Sequence, residues 1–397
     1  IESIATLHPD DNTSLGTSGG TIKVTYKPTA AGNHSATLTL SSTGATSKTV
    51  TISGTATAAS APSTPTYTKG LTKIWQNTSS VPGSAAGGDV RFAAVSNGKL
   101  IVTDKSTNLL VEVSASGNTT YYNPASALSE YYGQVISTAI GCDDAGNFLV
   151  STGFSGAASG KNFAVISADL KSTYKIDLSA IEGYTPARCD QMGRIRGNML
   201  SNEGGYAFIT PNGGTAILVV KIKNGAVDTD YTQVSGAPGV GLSTSCCPQP
   251  AFATVAEIDA LMDDNGDLSN AFIMRSRGTP GSVFAWNDGN TDMVKAWTFG
   301  AATGSYTTAN ASVEGFDWFQ LYDKSYFIMP VTTDGTTGTR GSNFAIFDEE
   351  GTCVATWTEG QKAGLGAAMG SFIVVPNNDY SVYIYHYVPG TVAEKLC

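Results

Sequence analysis

The segment "ARCDQMGRIRG" (187–197) gathers Arg188, Asp190, Arg194 and Arg196 in a chain that is otherwise acidic. Guanidinium groups present planar forks of N–H donors, so such a cluster can hold a carboxylate or sulfate through paired hydrogen bonds. The competing reading is internal ion pairs that lock the segment in place. A second group is "STSCCPQP" (243–250), with Cys246 and Cys247 adjacent. Successive side chains on a strand face opposite ways, so the pair is expected in a loop. A disulfide between them would close a small strained ring and offer a flat apolar surface to a ligand. Cys189 pairing with either one, or simple thiols, are the alternatives. A third group combines carboxylate, rings and imidazole: Asp317 and Trp318 in "EGFDWF", Tyr131 and Tyr132 in "SEYYG", and His386 in "YIYHYVPG". Rings with polar tips suit the two-faced surface of sugars, and equally suit ordinary packing.

For catalysis the material is thinner. Glu314 and Asp317, or Asp190, Glu257 and Asp317 from three separate segments, could supply the paired carboxylates of glycoside chemistry. No GxSxG occurs, and His386 has no evident partner in the sequence. "DDNGDL" (263–268) starts like a calcium loop but lacks the Gly at its sixth position and the acidic residue at its twelfth. With 3 His and no CxxC, a zinc site lacks ligands. No metal and no cofactor are expected.

These groups must be positioned by strands. Heavy use of Thr, Ser and 45 Gly with only 14% charged residues favours strands and turns over helices. From about residue 67 a unit of two apolar strands joined by a tight turn recurs six times, at "SNGK", "DDAGN", "NEGG", "DDNGD", "YDKS" and "PNND". After five of them come a third and a fourth strand, as in "NFAVISADL" and "STYKIDLS". Four short strands per repeat mark a propeller blade. The sixth unit ends one strand short, and "LTKIWQN" (71–77), which has no partner of its own, can complete it. The fold expected is therefore all-β, with a six-bladed β-propeller over 67–397 closed by an N-terminal strand.

In such a blade the connections between consecutive blades and those between second and third strands leave from one end. These are the long ones here, so binding is expected at that end, where a rigid scaffold presents loops. The segments carrying the vicinal cysteines and the arginines belong to it.

Ahead of the propeller, "TIKVTYKP", "HSATLTLSS" and "SKTVTISGTAT" alternate apolar and polar residues as half-buried strands do. The stretch "YKPTAAGNHSATLTLSS…TVTISGTA" resembles the second half of the Ig-like β-sandwich modules carried in tandem by bacterial exported proteins. Residues 1–58 are assigned to this module, which is short of the roughly 100 residues a complete sandwich needs. The proline-bearing stretch 59–66 reads as a linker.

Asp+Glu 33 against Lys+Arg 23 gives a net charge of -10, which argues against nucleic acid as a partner. No apolar run is long enough to span a membrane. The chain begins at Ile1, compatible with removal of a targeting segment and with a lipid anchor ahead of it. An Ig-like module leading into a propeller resembles exported bacterial surface proteins of the adhesin and glycan-binding lipoprotein type. That resemblance implies a non-catalytic protein at the cell surface or in the periplasm that binds a glycan, another surface polymer or a protein. A propeller glycoside hydrolase or lyase and a protein-interaction scaffold are the alternatives.

Overall fold

The computed structural model describes residues 31–41, 43–56, 70–83, 90–124, 136–152, 162–189, 191–211, 216–236, 247–252, 254–263, 272–275, 282–286, 293–298, 315–322, 324–330, 343–357 and 371–397. Two compact units divide the chain, Ile1–Thr68 and Lys69–Cys397. In the first, β1 (Gly32–Leu40) and β2 (Lys48–Ala56) form an antiparallel hairpin that places Ala36 opposite Ile52 and Leu38 opposite Val50. Its apolar face is lightly covered, with Val50 half exposed. The expected strand 21–28 lies outside the described residues.

The second unit is a β-propeller of four-stranded antiparallel sheets. Strand β3 (Lys73–Asn77) does not join the sheet that follows it in sequence. The first sheet runs β4 (Ala93–Ser96), β5 (Lys99–Asp104), β6 (Leu109–Ser114) and β7 (Gly117–Tyr122). The second is β8 (Ile136–Cys142), β9 (Phe148–Thr152), β10 (Asn162–Ile166) and β11 (Thr173–Asp177). The third is β12 (Arg196–Asn198), β13 (Gly204–Ile209), β14 (Ala216–Lys223) and β15 (Ala226–Gly236). The fourth is β16 (Cys247–Pro250), β17 (Phe272–Arg275), β18 (Ser282–Trp286) and β19 (Met293–Thr298). The fifth is β20 (Asp317–Leu321), β21 (Lys324–Pro330), β22 (Phe344–Asp348) and β23 (Cys353–Trp357). The last is β24 (Ser371–Asn378), β25 (Ser381–Val388) and β26 (Val392–Leu396), with β3 as its outer strand, Asn77 opposite Ala393.

Local chemistry explains the hairpins. Asn97 and Gly98 both take positive φ between β4 and β5, as do Asn224 and Gly225 between β14 and β15. That is the turn whose twist matches two antiparallel strands, and asparagine with glycine tolerates it best. The middle strands are apolar on both faces because each sheet is covered on both sides. Along β9, Leu149 packs toward the third sheet with Ile209 and Val220, while Phe148 and Val150 pack toward the first with Ile101 and Leu110. The core is thus a set of layers between neighbouring sheets.

One element departs from expectation. Where a strand and a hairpin turn were expected at 258–267, residues Val255–Asp263 form a helix, α1. The first strand of the fourth sheet is instead Cys247–Pro250. Thr254 Oγ1 caps the amide of Glu257, whose carboxylate accepts the Thr254 amide in return. This reciprocal cap starts a helix, and Val255, Ile258 and Leu261 follow at helical spacing. Ile258 is fully buried, and Asp259 takes a hydrogen bond from the Tyr206 hydroxyl (2.7 Å) and pairs with the buried Lys221 (2.6 Å). A long connection therefore also leaves the short-turn end of the ring, so the long connections are not confined to one end. Among the described residues no helix is long and apolar enough to cross a membrane.

Candidate functional site

The first strands face one another around an axis, and polar groups stitch each to the next. Ser96 Oγ donates to the Gly146 carbonyl (2.9 Å), joining the first sheet to the second. Asn147 donates to Asn198 (3.0 Å) and Met199 N donates to Asp143 (2.8 Å), joining the second to the third. Gln249 accepts the Arg194 amide (2.8 Å) and donates to the Phe316 carbonyl (3.0 Å), so one side chain links the third, fourth and fifth sheets. Asp317 accepts the Val374 amide (2.7 Å), and Ser371 accepts the Ala93 amide (2.9 Å), which returns to the first sheet. At Gly193 the third and fourth sheets come so close that a Cβ would overlap the carbonyl of Pro248.

Between these first strands lies a cavity of about 390 Å³ that draws lining residues from the innermost segments of each four-stranded sheet described above. It runs from the start of the first strands, at Gln191, Asp317 and Ser371, to their far ends, at Asn97 and Asp144 in the turns and Pro376 within β24. Its walls combine apolar Ile140, Met192 and Phe372 with Arg194, Arg196 and three aspartates. Arg194 pairs with Asp317 at 3.6 Å and donates to the Val374 carbonyl. Arg196 Nη1 reaches Asp144 Oδ1 at 3.3 Å, and the other oxygen of Asp144 accepts the Gly197 amide (2.8 Å). Asp143 accepts from the amides of Ala145, Asn147 and Met199 and from the Asn147 side chain.

Burial dominates the electrostatics here. It lowers the pKa of Arg196, as does the neighbouring Arg194 charge, while Asp144 and Asp317 oppose the shift. Burial raises the carboxyl of Asp317, opposed by Arg194 and by two backbone amides. Asp143 is raised for the same reason and held back by its hydrogen bonds. The Cys142 thiol, on the cavity wall, is pushed up by burial and by the neighbouring Asp143.

The residues singled out from sequence divide accordingly. Arg194, Arg196 and Asp317 meet in the cavity, and both arginines carry the internal ion pairs that were the competing reading. Arg188 is half-buried and does not line it. Trp318 is half-buried against the Phe316–Phe327 layer and donates its indole N–H to the Pro250 carbonyl (3.1 Å). His386 does not reach the surface: it is 2% exposed inside the last sheet, stacked on Phe372 at 4.7 Å, with Nδ1 2.8 Å from Glu394. The alternating register of β25 turns it into the layer between the fifth and sixth sheets. Cys189 is buried, and its thiol donates to the Gln191 carbonyl. Only the backbone of Cys247 is described, and it opens β16 opposite Arg275. Asp190, Cys246, Tyr131 and Tyr132 lie outside the described residues.

Sequence reasoning missed Asp144, Gln191 and Gln249. Asp144 looked like one more turn residue in "DDAGN". Gln249, between two prolines that cannot donate to a ladder, carried a faint signal of an irregular inner strand.

No family model and no curated protein matches the chain. Among solved structures it is similar to a DUF4623 family protein from Bacteroides eggerthii, with TM-score 0.51 and 11% identity over 94% of this chain and 84% of that one. It also aligns with BBS1N in complex with ARL6DN, at TM-score 0.38 and 9% identity over 82% of this chain and 96% of that one. At such identities the first likeness bears on fold alone, and the second carries no weight.

Proposed function

We propose that this chain is a non-catalytic surface binding protein whose sheets close a single six-bladed propeller, and that the end of a glycan or similar hydroxylated polymer enters the axial cavity. The observation that carries the reading is the convergence of two guanidiniums, three carboxylates and the side-chain amides of Asn97, Gln191 and Gln249 on one cavity drawn from all six sheets. Its volume is at the low end of those that hold small-molecule ligands. Planar polar side chains on a wall that is in part apolar match the hydroxyls and the ring face of a sugar. In this reading the long connections grip the rest of the polymer, the hairpin at 32–56 belongs to an Ig-like spacer, and the protein is exported.

The non-enzymatic part rests on how the carboxylates are used. Asp143 and Asp317 are tied to backbone amides that fix them in place, whereas a glycosidase needs one carboxyl able to give a proton and another able to attack or activate water. A glycan array with the full chain, followed by calorimetry and product analysis on each hit, tests both parts. Binding lost in Arg196→Ala supports the axial site, hits indifferent to that change refute it, and turnover of a bound glycan refutes the non-catalytic reading.

A further inference from the structure

Resting on the axial-site reading, the geometry points to the chemistry of the ligand: we propose that the cavity takes a sugar acid, whose carboxylate meets Arg196 and whose hydroxyl meets Gln191. Asp143 receives four N–H donors, which fills a carboxylate. Asp317 receives two backbone amides besides its pairing with Arg194, and both ends of the Gln249 amide are engaged. These groups have little left to offer a ligand.

Two groups remain open. Gln191 is 3% exposed and lines the cavity, yet its Oε1 has no hydrogen-bond partner. Arg196 spends Nη1 on Asp144 and leaves its buried Nε without an acceptor. Unpaired polar atoms are rare in protein interiors and mark places where a missing group belongs. An amide oxygen calls for a hydroxyl donor, and a guanidinium N–H calls for an anionic acceptor that can take it side by side with a second N–H. A molecule carrying both is a hydroxy acid, and the cavity volume of about 390 Å³ suits one such ring rather than several. A carboxylate would also offset the charge of Arg194, which disfavours the charged form of Arg196 beside it. Because both open atoms are buried, engagement turns the long Gln191 and Arg196 side chains toward the ligand and leaves the backbone in place.

The test is calorimetry of the full chain with three probes of equal length: uronic-acid-terminated oligosaccharides, the same compounds with the carboxyl reduced to an alcohol, and sulfated neutral counterparts. The acidic probe is expected to bind at least ten-fold more tightly than the reduced one, and Arg196→Gln to bring the two to the same affinity. Gln191→Leu is expected to weaken both by a similar factor, since it removes the contact to a hydroxyl. Equal binding of acidic and reduced probes by the unaltered protein overturns the sugar-acid inference while leaving the axial site standing, and needs no variant to fold. Preference for the sulfated probe overturns the carboxylate. Binding of none of the three overturns the axial-site reading itself.

Discussion

Glu394 in β26 has no solvent exposure, and its carboxylate is shared among three elements. It accepts the indole N–H of Trp357 at 3.0 Å, lies 2.8 Å from Nδ1 of His386, and accepts the side-chain amide of Gln76 at 2.7 Å. Those partners come from β23 of the neighbouring sheet, from β25, and from β3, the strand that closes the last sheet. Glu394→Leu leaves the indole and imidazole groups buried and unpartnered, at about 1–3 kcal/mol each. Gln76 is only half-buried and recovers water, and the new side chain returns part of the loss through apolar contact. The expected net destabilisation is about 3–5 kcal/mol, the range for removing one member of a buried charged network. Glu394→Gln keeps the shape and one acceptor oxygen and is expected to cost about 1–2 kcal/mol. Urea unfolding of the full chain gives these differences, and hydrogen exchange shows where they act: amides of β3 and β26 should lose protection first. A leucine variant within about 1 kcal/mol of the parent, or one that weakens the fold without exposing β3, would refute the role of this carboxylate in closure.

Three further outcomes follow from the same packing. Gly193→Ala pushes a Cβ into the Pro248 carbonyl and parts the third and fourth sheets, with an expected loss of about 2–4 kcal/mol in urea unfolding from overpacking plus the broken Arg194–Gln249 bond. Asp259→Ala strips the partner from Lys221, whose side chain is 5% exposed; because Asp259 is 28% exposed the expected cost is about 2–3 kcal/mol, below the full buried-pair value, and α1 should become the first site of limited proteolysis. Asp317 has its carboxyl raised by burial, so the folded chain keeps a proton that the unfolded chain has already released. Its contribution to stability therefore falls as pH rises from the ordinary aspartate range to the raised folded value. Asp317→Asn should flatten that part of the stability-against-pH curve, and an unchanged slope would show that this carboxyl does not titrate there.

Much of the fold was legible because hairpin pairing is local. Asn97-Gly98 and the polar stretches "YDKS" and "PNND" announce their strands from a few neighbouring residues, and an unpartnered "LTKIWQN" announces closure. The fourth sheet was not legible in its first half. "TVAEIDALM" carries apolar residues that fit a buried strand, and only the Thr254–Glu257 cap, two side chains closing on each other's amides, reveals the helix. His386 misled for a related reason. A one-residue change of register sends a strand side chain to the opposite face, and nothing near it in sequence shows which face receives Glu394.

The order of strands, the repeat and the arginine cluster were set by the sequence alone, since each depends on residues near one another in the chain. Only the tertiary structure decided what those arginines meet. Arg196 finds Asp144 from 52 residues away, Arg194 finds Gln249 from 55, and Asp317 finds Val374 from 57, each in an adjacent sheet. Ring closure brings corresponding points of successive sheets to a common axis. Which side chains then share the cavity depends on the register of every sheet at once, and no single stretch of sequence contains that information.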